Sequence, residues 1–432
     1  MVAYYCREFH QNLIISLKHF PMRHLSTTKL AFTLLAATAF ASCNDDQDAN
    51  PDAAATDTEY RFMRVLVTDE QASTLTQITP SDASIASFNT KFPLANLYPT
   101  ASGRFAAVLY QNQNLVEMFD TGLESHVDHV DVKGTPKWAA ITATGGKPTH
   151  FKSKGTESLI FNDADGTLSV GNDADFHTTG AKFSVINAGL LPHHGAMAQL
   201  DNGNYAVTTT KTSSANPTSV KIISKAGAEV HPATLETGAI HGNASDGSNA
   251  VFGCFTTSAN VDGSVLVVKA SGEQRLIPNP AGFGAFRLAN VYYAEGAKKF
   301  IGFVATKGVY LIDITTDKIT PLYAGADAFQ CKPDYAGNNL HVLTLDGKLR
   351  VYGLTTGALK KEGSVIPATP AADTYKPILE ASEKFAYIAV PSLGEVHQIK
   401  LSDLSTTAKH KVTSRPVRLT LLGFESSAGH GN

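Results

Sequence analysis

The sequence predicts an all-β chain folded as an eight-bladed β-propeller, and three observations carry that expectation. A four-strand unit recurs about every 45 residues, no useful stretch of helical periodicity interrupts it, and the two ends each carry part of one further unit. Composition agrees. Only 17% of the 432 residues are charged, while 34 glycines and 19 prolines supply turns between short strands. Apolar residues make up 43%, enough for a large core. The 36 basic and 39 acidic side chains leave a net charge of −3, which argues against a nucleic-acid binder and its basic face. Four cysteines are too few for a disulfide scaffold, and they form no C-x-x-C pair for zinc or redox chemistry.

Residues 1–43 read as a leader. Arg23, His24 and Lys29 give a basic start, with Met22 as a plausible initiator, and Leu30 to Ala41 is an apolar run. That run is short of the roughly 20 residues a bilayer span requires but suits a signal-peptide core. Phe40-Ala41-Ser42-Cys43 resembles a bacterial lipobox, so Cys43 is expected to be lipidated and to become the first mature residue, with the membrane touched only through that anchor. Phe40 stands where leucine is usual, which keeps ordinary signal-peptidase cleavage nearby as the alternative. Residues 44–59 are acidic and apolar-poor, the composition of a disordered linker.

The propeller is expected over residues 60–424, with 425–432 as a tail. Its second strands are Arg104–Tyr110, Ser158–Phe161, Tyr205–Thr208, Ala250–Cys254, Phe300–Val304, Leu340–Leu343 and Phe385–Val390. An alternating third strand follows each, and Asp165-Gly166, Asp262-Gly263 and Asp346-Gly347 mark hairpin turns between them. First strands are expected to open near Pro99, His150, His194, His241, Arg287, Lys332 and Lys376, at spacings of 51, 44, 47, 46, 45 and 44 residues. Arg415–Phe424 is an eighth inner strand with nothing after it, and Tyr60–Val67 resembles a second strand with nothing before it. Pairing the two completes an eighth blade and removes two open edges. Seven blades is the alternative, should one irregular unit merge with a neighbour.

Ligands of propellers bind where inner strands begin, around the channel mouth. His150, His194 and His241 hold equivalent positions there in three consecutive units, so their imidazoles can converge. Three histidines with an open fourth position make a workable Zn²⁺ shell. His193 replaces His194 if the register slips by one, because adjacent strand residues face opposite sides. The bland reading is that histidines cap strands through backbone hydrogen bonds. It weakens when three stand in register.

A second cluster runs from Glu124 to Asp131, and His126, Asp128 and His129 within it suit a divalent metal. Propeller topology puts that loop, between a third and a fourth strand, on the face opposite the mouth. A solvated polar loop is the competing reading. Arg287, Lys332 and Lys376 are expected to continue the inner ring as cations, whereas His177, His231, His341, His397 and His410 read as surface or packing residues. No H-E-x-x-H, G-x-S-x-G or P-loop pattern occurs.

At these residues the chain resembles the periplasmic zinc metallochaperone propellers that partner Azt-type zinc ABC transporters, the AztD family. The resemblance covers roughly residues 60–424. It rests on Lys147-Pro148-Thr149-His150-Phe151, His193-His194-Gly195, His241-Gly242-Asn243-Ala244 and Phe252-Gly253-Cys254. It implies a carrier and not an enzyme, one that holds Zn²⁺ and passes it to the periplasmic solute-binding protein of the transporter. His150, His194 and His241 match the ligand-bearing segments. The family's His-rich loop is matched only by the shorter His126-Val127-Asp128-His129. Family members tend to carry a cysteine shortly before the equivalent of His241; here Leu235-Glu236-Thr237-Gly238 stands there, which leaves Cys254 without that partner. A monomer is expected. Two other functions compete, a propeller scaffold for protein partners and a propeller enzyme such as a lactonase or quinoprotein. The single Trp138 and the scarcity of inner-strand carboxylates count against the enzyme.

Overall fold

The structure, a computed structural model, describes residues 58–126 and 129–425. The leader with Cys43, the linker up to Asp57, Asp128 and the last seven residues lie outside them. Eight four-stranded antiparallel sheets form the blades of a propeller. Seven run from inner to outer strand in chain order. Their inner strands are Asn96–Pro99 in blade 2, Pro148–Lys154 in blade 3, Met197–Gln199 in blade 4, Ile240–Ser245 in blade 5, Asn290–Ala294 in blade 6, Ala328–Pro333 in blade 7 and Ile378–Ala381 in blade 8.

Blade 1 is made from both ends of the chain, as the sequence leads one to expect. Pro416–Gly423 is its inner strand and pairs antiparallel with Met63–Asp69, in register from Met63 opposite Gly423 to Asp69 opposite Pro416. Asp69 and Glu70 tie the joint further, Asp69 accepting from the Arg415 amide at 2.7 Å and Glu70 pairing with its guanidinium at 2.7 Å. Glu59, expected in the linker, belongs to the fold instead. It is buried and accepts from the Tyr387 hydroxyl at 2.9 Å and from the Ser382 hydroxyl.

Each gap between neighbouring blades holds one apolar cluster. Between blades 2 and 3, for example, Phe105 and Met118 meet Phe151, Ile160 and Phe176. This layout explains the composition of the strands. Second strands such as Phe105–Tyr110 are buried along their whole length, because both faces of the sheet pack against neighbours. Outer strands such as Ala358–Ser364 are polar and exposed, and their lysines discourage edge pairing.

Several inner strands start elsewhere than the sequence suggests. Pro99 ends its strand, and Met197 begins its strand three residues beyond His194, which sits in the approach loop. Lys332 is near the far end of Ala328–Pro333. The long first spacing has its own cause: blade 2 carries an inserted hairpin, Leu123–Ser125 with Val130–Val132, before its fourth strand Lys137–Ala143.

Candidate metal centre

Antiparallel order places the starts of inner strands and the turns between second and third strands on one face, the channel mouth. His150 is the third residue of its inner strand, directly after a β-bulge between Pro148 and His150. His241 lies within a second bulge, between Ile240 and Asn243. Bulges break the alternation of side chains and re-aim them. Both therefore turn an imidazole toward the channel axis. Gly242 follows at φ +77, where an added Cβ would meet the Ala289 carbonyl oxygen at 2.4 Å, so the chain beside His241 can come this close only as glycine.

The three rings do converge. Nε2 of His150 and Nε2 of His194 are 3.4 Å apart. The His241 ring centroid is 5.5 Å from that of His194 and 6.3 Å from that of His150. Two nitrogens bound tetrahedrally to zinc at about 2.0–2.1 Å stand about 3.3–3.4 Å apart, so the His150–His194 pair already has the edge of such a shell. His241 is the more distant ring of the three.

Outer partners fix which nitrogen is offered. His194 Nδ1 donates to Asp163 Oδ2 at 2.8 Å, and His241 Nδ1 donates to the Ala289 carbonyl at 2.8 Å. Both acceptors hold the proton on Nδ1 and leave the Nε2 lone pair for a cation, the arrangement found behind most metal-bound histidines. Asp163 is itself nearly buried, and its other oxygen accepts from the Gly195 amide at 3.3 Å. His194 keeps 43% of its side chain exposed, which leaves the site open to solvent at the mouth.

The electrostatics favour neutral imidazole, the state that binds metal. Burial pushes His150 down to about 3, with His194 and Lys152 adding repulsion. Burial also lowers His241, against the pull of the Ala289 carbonyl. Lys152, two residues further along the strand, is drawn down by burial to about 8, with Lys332 adding repulsion.

His193 does not take part. It is buried against Phe161, with Nδ1 donating to the Leu191 carbonyl at 2.7 Å and Nε2 accepting from the Thr208 hydroxyl at 3.0 Å. Both its nitrogens are committed. The expected cationic half-ring forms only in part: Lys332 is paired with Glu380 at 2.6 Å and Lys376 caps loop carbonyls, while Arg287 lies over the Phe255 ring, near enough to help lower His241. Cys254 is a free, buried thiol whose pKa burial raises to about 12, and its Sγ donates to the Ser264 carbonyl at 3.5 Å.

The second cluster sits at the tip of the inserted hairpin, on the opposite face. Leu123 and Val130 anchor it against Phe62 and Phe424. His126, His129 and Asp131 gather there, with Asp131 oxygens 3.4 Å from His126 Nε2 and 3.6 Å from His129 Nε2. Among the described residues the carboxylate that meets the two rings is thus Asp131. Lys133 lies 3.5 Å from Asp131 and 3.2 Å from Glu124, a cation that competes with any metal for this charge.

Sequence reasoning missed Asp163 because it was absorbed into the Asp165-Gly166 turn. A usable signal existed, since an acid just past the end of a second strand lies on the mouth face.

Fold and site together define an eight-bladed propeller with a histidine cluster at one end of its channel. No protein-family model and no curated protein matches the sequence. Among solved structures the chain is similar to AztD of Citrobacter koseri, with TM-score 0.74 and 19% identity over 86% of this chain and 100% of that one. The apo form of the same protein gives 0.73 and 19% over 84% and 98%. Sqt1 of Chaetomium thermophilum, bound to the N-terminus of ribosomal protein L10, is more distant at 0.52 and 11% over 85% and 95%. The expected likeness to the AztD propellers is therefore present in the fold.

Proposed function

We propose that this protein is a zinc carrier of the cell envelope, holding Zn²⁺ at His150, His194 and His241 and surrendering it to the solute-binding protein of a zinc ABC transporter. The observation that carries the reading is the 3.4 Å separation of the His150 and His194 Nε2 atoms, together with the carboxylate behind His194. The fold shared with AztD supports it. Exposed Leu191 and Phe286, on the loops leading into the inner strands of blades 4 and 6, give a partner apolar surface near the mouth. In this reading the protein is a monomeric carrier and not an enzyme, exported through its leader and anchored by lipid on Cys43.

Elemental analysis of tag-free protein tests the first half. About one zinc per chain, lost in His150→Ala and His194→Ala, is the expected result. Zinc-free wild type would favour the interaction scaffold. Mixing the zinc-loaded protein with apo solute-binding protein and following the metal by size separation tests the transfer. Intact mass of membrane-extracted protein tests the anchor, and an unmodified chain starting elsewhere than Cys43 would overturn it.

A further inference from the structure

Between blades 7 and 8, on the face opposite the histidines, lies a cavity of about 420 Å³. Its place follows from the topology: Asn339 opens the second strand of blade 7, while Phe385 opens the second strand of blade 8 and Lys400 ends the third. Val351, Phe385 and Leu401 are buried and supply its apolar walls. Lys360, Lys361, Lys384 and Lys400 also line it, against a single lining acid, Glu383. Lys360 donates to the Asn339 side-chain oxygen at 2.6 Å, and Lys384 Nζ lies 3.8 Å from the centre of the Tyr60 ring. The acids that flank the cavity are committed elsewhere, Glu59 to the Ser382 and Tyr387 hydroxyls and Asp403 to the Ser405 amide at 2.8 Å. The repeat offers an internal control. The gap between blades 5 and 6 holds a cavity of about 310 Å³, lined by Lys298 and Lys299 but also by Asp246 and Asp313. There Lys298 is paired with Glu295. A gap of this kind is therefore built into the fold, whereas the excess of positive charge is not.

We propose that this cavity is a binding site for a small organic anion, whose carboxylate or phosphate group sits among the lysines and whose apolar body packs on Val351, Phe385 and Leu401. The proposal is independent of the zinc reading. Ligand sites commonly enclose roughly 300–1,000 Å³ and combine apolar walls with a few placed polar groups, which is the make-up of this cavity. Four ammonium groups around one hollow repel each other, and a bound anion turns that repulsion into attraction. Lysine presents a mobile point charge and not a rigid fork, so the site reads negative charge and leaves selectivity to the apolar walls. Because the cavity and the histidines lie on opposite faces, the anion and a metal bind without competing.

The test titrates full-length protein with the fluorescent dye anilinonaphthalene sulfonate, an aromatic body bearing one anion, and with phenylnaphthylamine, the same body without charge. We expect one saturable sulfonate site per chain, weakened about fivefold by Lys361→Gln and by Lys384→Gln, and further in the double variant, with the melting temperature unchanged. Lys299→Gln, in the gap between blades 5 and 6, should leave binding as it is. Displacement of the dye then names the source of the anion. A soluble short-chain phosphatidylglycerol that displaces it assigns the site to a lipid headgroup, and benzoate that displaces it assigns the site to a free organic acid. Displacement by neither, wild-type affinity in the double variant, or equal affinity for the uncharged dye overturns the proposal.

Discussion

His150 and His194 stand on neighbouring blades with their Nε2 atoms 3.4 Å apart, yet only His194 is backed by a carboxylate, Asp163 at 2.8 Å from its Nδ1. Two neutral rings this close share at most one proton between the facing nitrogens. A cation that accepts both lone pairs relieves that frustration. Asp163 meanwhile raises the donor strength of His194 and locks its orientation.

This division of labour sets an order of effects on zinc affinity. His150→Ala and His194→Ala remove direct ligands and should weaken binding most, with His241→Ala close behind. Asp163→Asn leaves the ligands in place but removes the charge behind one, and a loss of about 10–100-fold is expected. His126→Ala, on the opposite face, should leave the main site untouched. Chelator competition across the series checks the ranking. Equal affinity in wild type and His194→Ala would remove the site.

The pH dependence follows from the same burial. Free histidines titrate near 6.5, and three ordinary ligands would be displaced together by about three protons through that range. His150, held at about 3, stays neutral as pH falls through it, and burial makes His241 take up its proton at lower pH than a free imidazole. The slope of log Kd against pH between roughly 7 and 5.5 should therefore fall well short of three protons per ion. A slope of three would show that these imidazoles titrate as if exposed.

Away from the site, Asp120 reports on the ring itself. Burial opposes its ionisation, but Arg104 at 2.8 Å, the Gly122 amide and His177 outweigh burial and hold the carboxyl below the usual range. A depressed acid stabilises the fold above its unfolded pKa of about 3.9, and that contribution is lost as pH falls through the lower folded value. Asp120→Asn should cost about 1–3 kcal/mol at neutral pH. Melting curves of the two proteins should draw together as pH drops below about 4. A gap that persists in acid would assign the effect to packing and not to charge.

Much of this was legible in the sequence because a propeller repeats. Asp165-Gly166 and Asp346-Gly347 mark turns by local chemistry, and a period near 45 residues sets equivalent positions on a common circle. That suffices to bring His150, His194 and His241 together. What stayed hidden depends on a single residue of register or on distant partners. His193 and His194 are indistinguishable as neighbours in a string, and only the turn into Met197–Gln199 buries one and opens the other. Glu59 has the composition of a linker, and its place is fixed by Ser382 and Tyr387, more than three hundred positions away. Lys152 reads as one more polar strand residue until the Asn243 carbonyl appears across the channel.

Closure by the two chain ends gives the last expectation. Pro416–Gly423 supplies Leu419 and Leu421 to the apolar cluster between blades 8 and 1, and Leu422 to the cluster between blades 1 and 2. Deleting residues 415–432 therefore empties part of two inter-blade gaps and leaves Met63–Asp69 without its inner neighbour. Full burial of each leucine contributes about 1.5–3 kcal/mol, so three of them rival the stability of a whole domain. The truncated chain should lose its cooperative melting transition, or melt far below the parent, and the freed strand edge should promote aggregation. Scanning calorimetry with light scattering measures both. A truncated protein that melts where the parent does would mean that seven blades hold the ring closed alone. In that case the pairing of Met63–Asp69 with Pro416–Gly423 would be ornament and not latch.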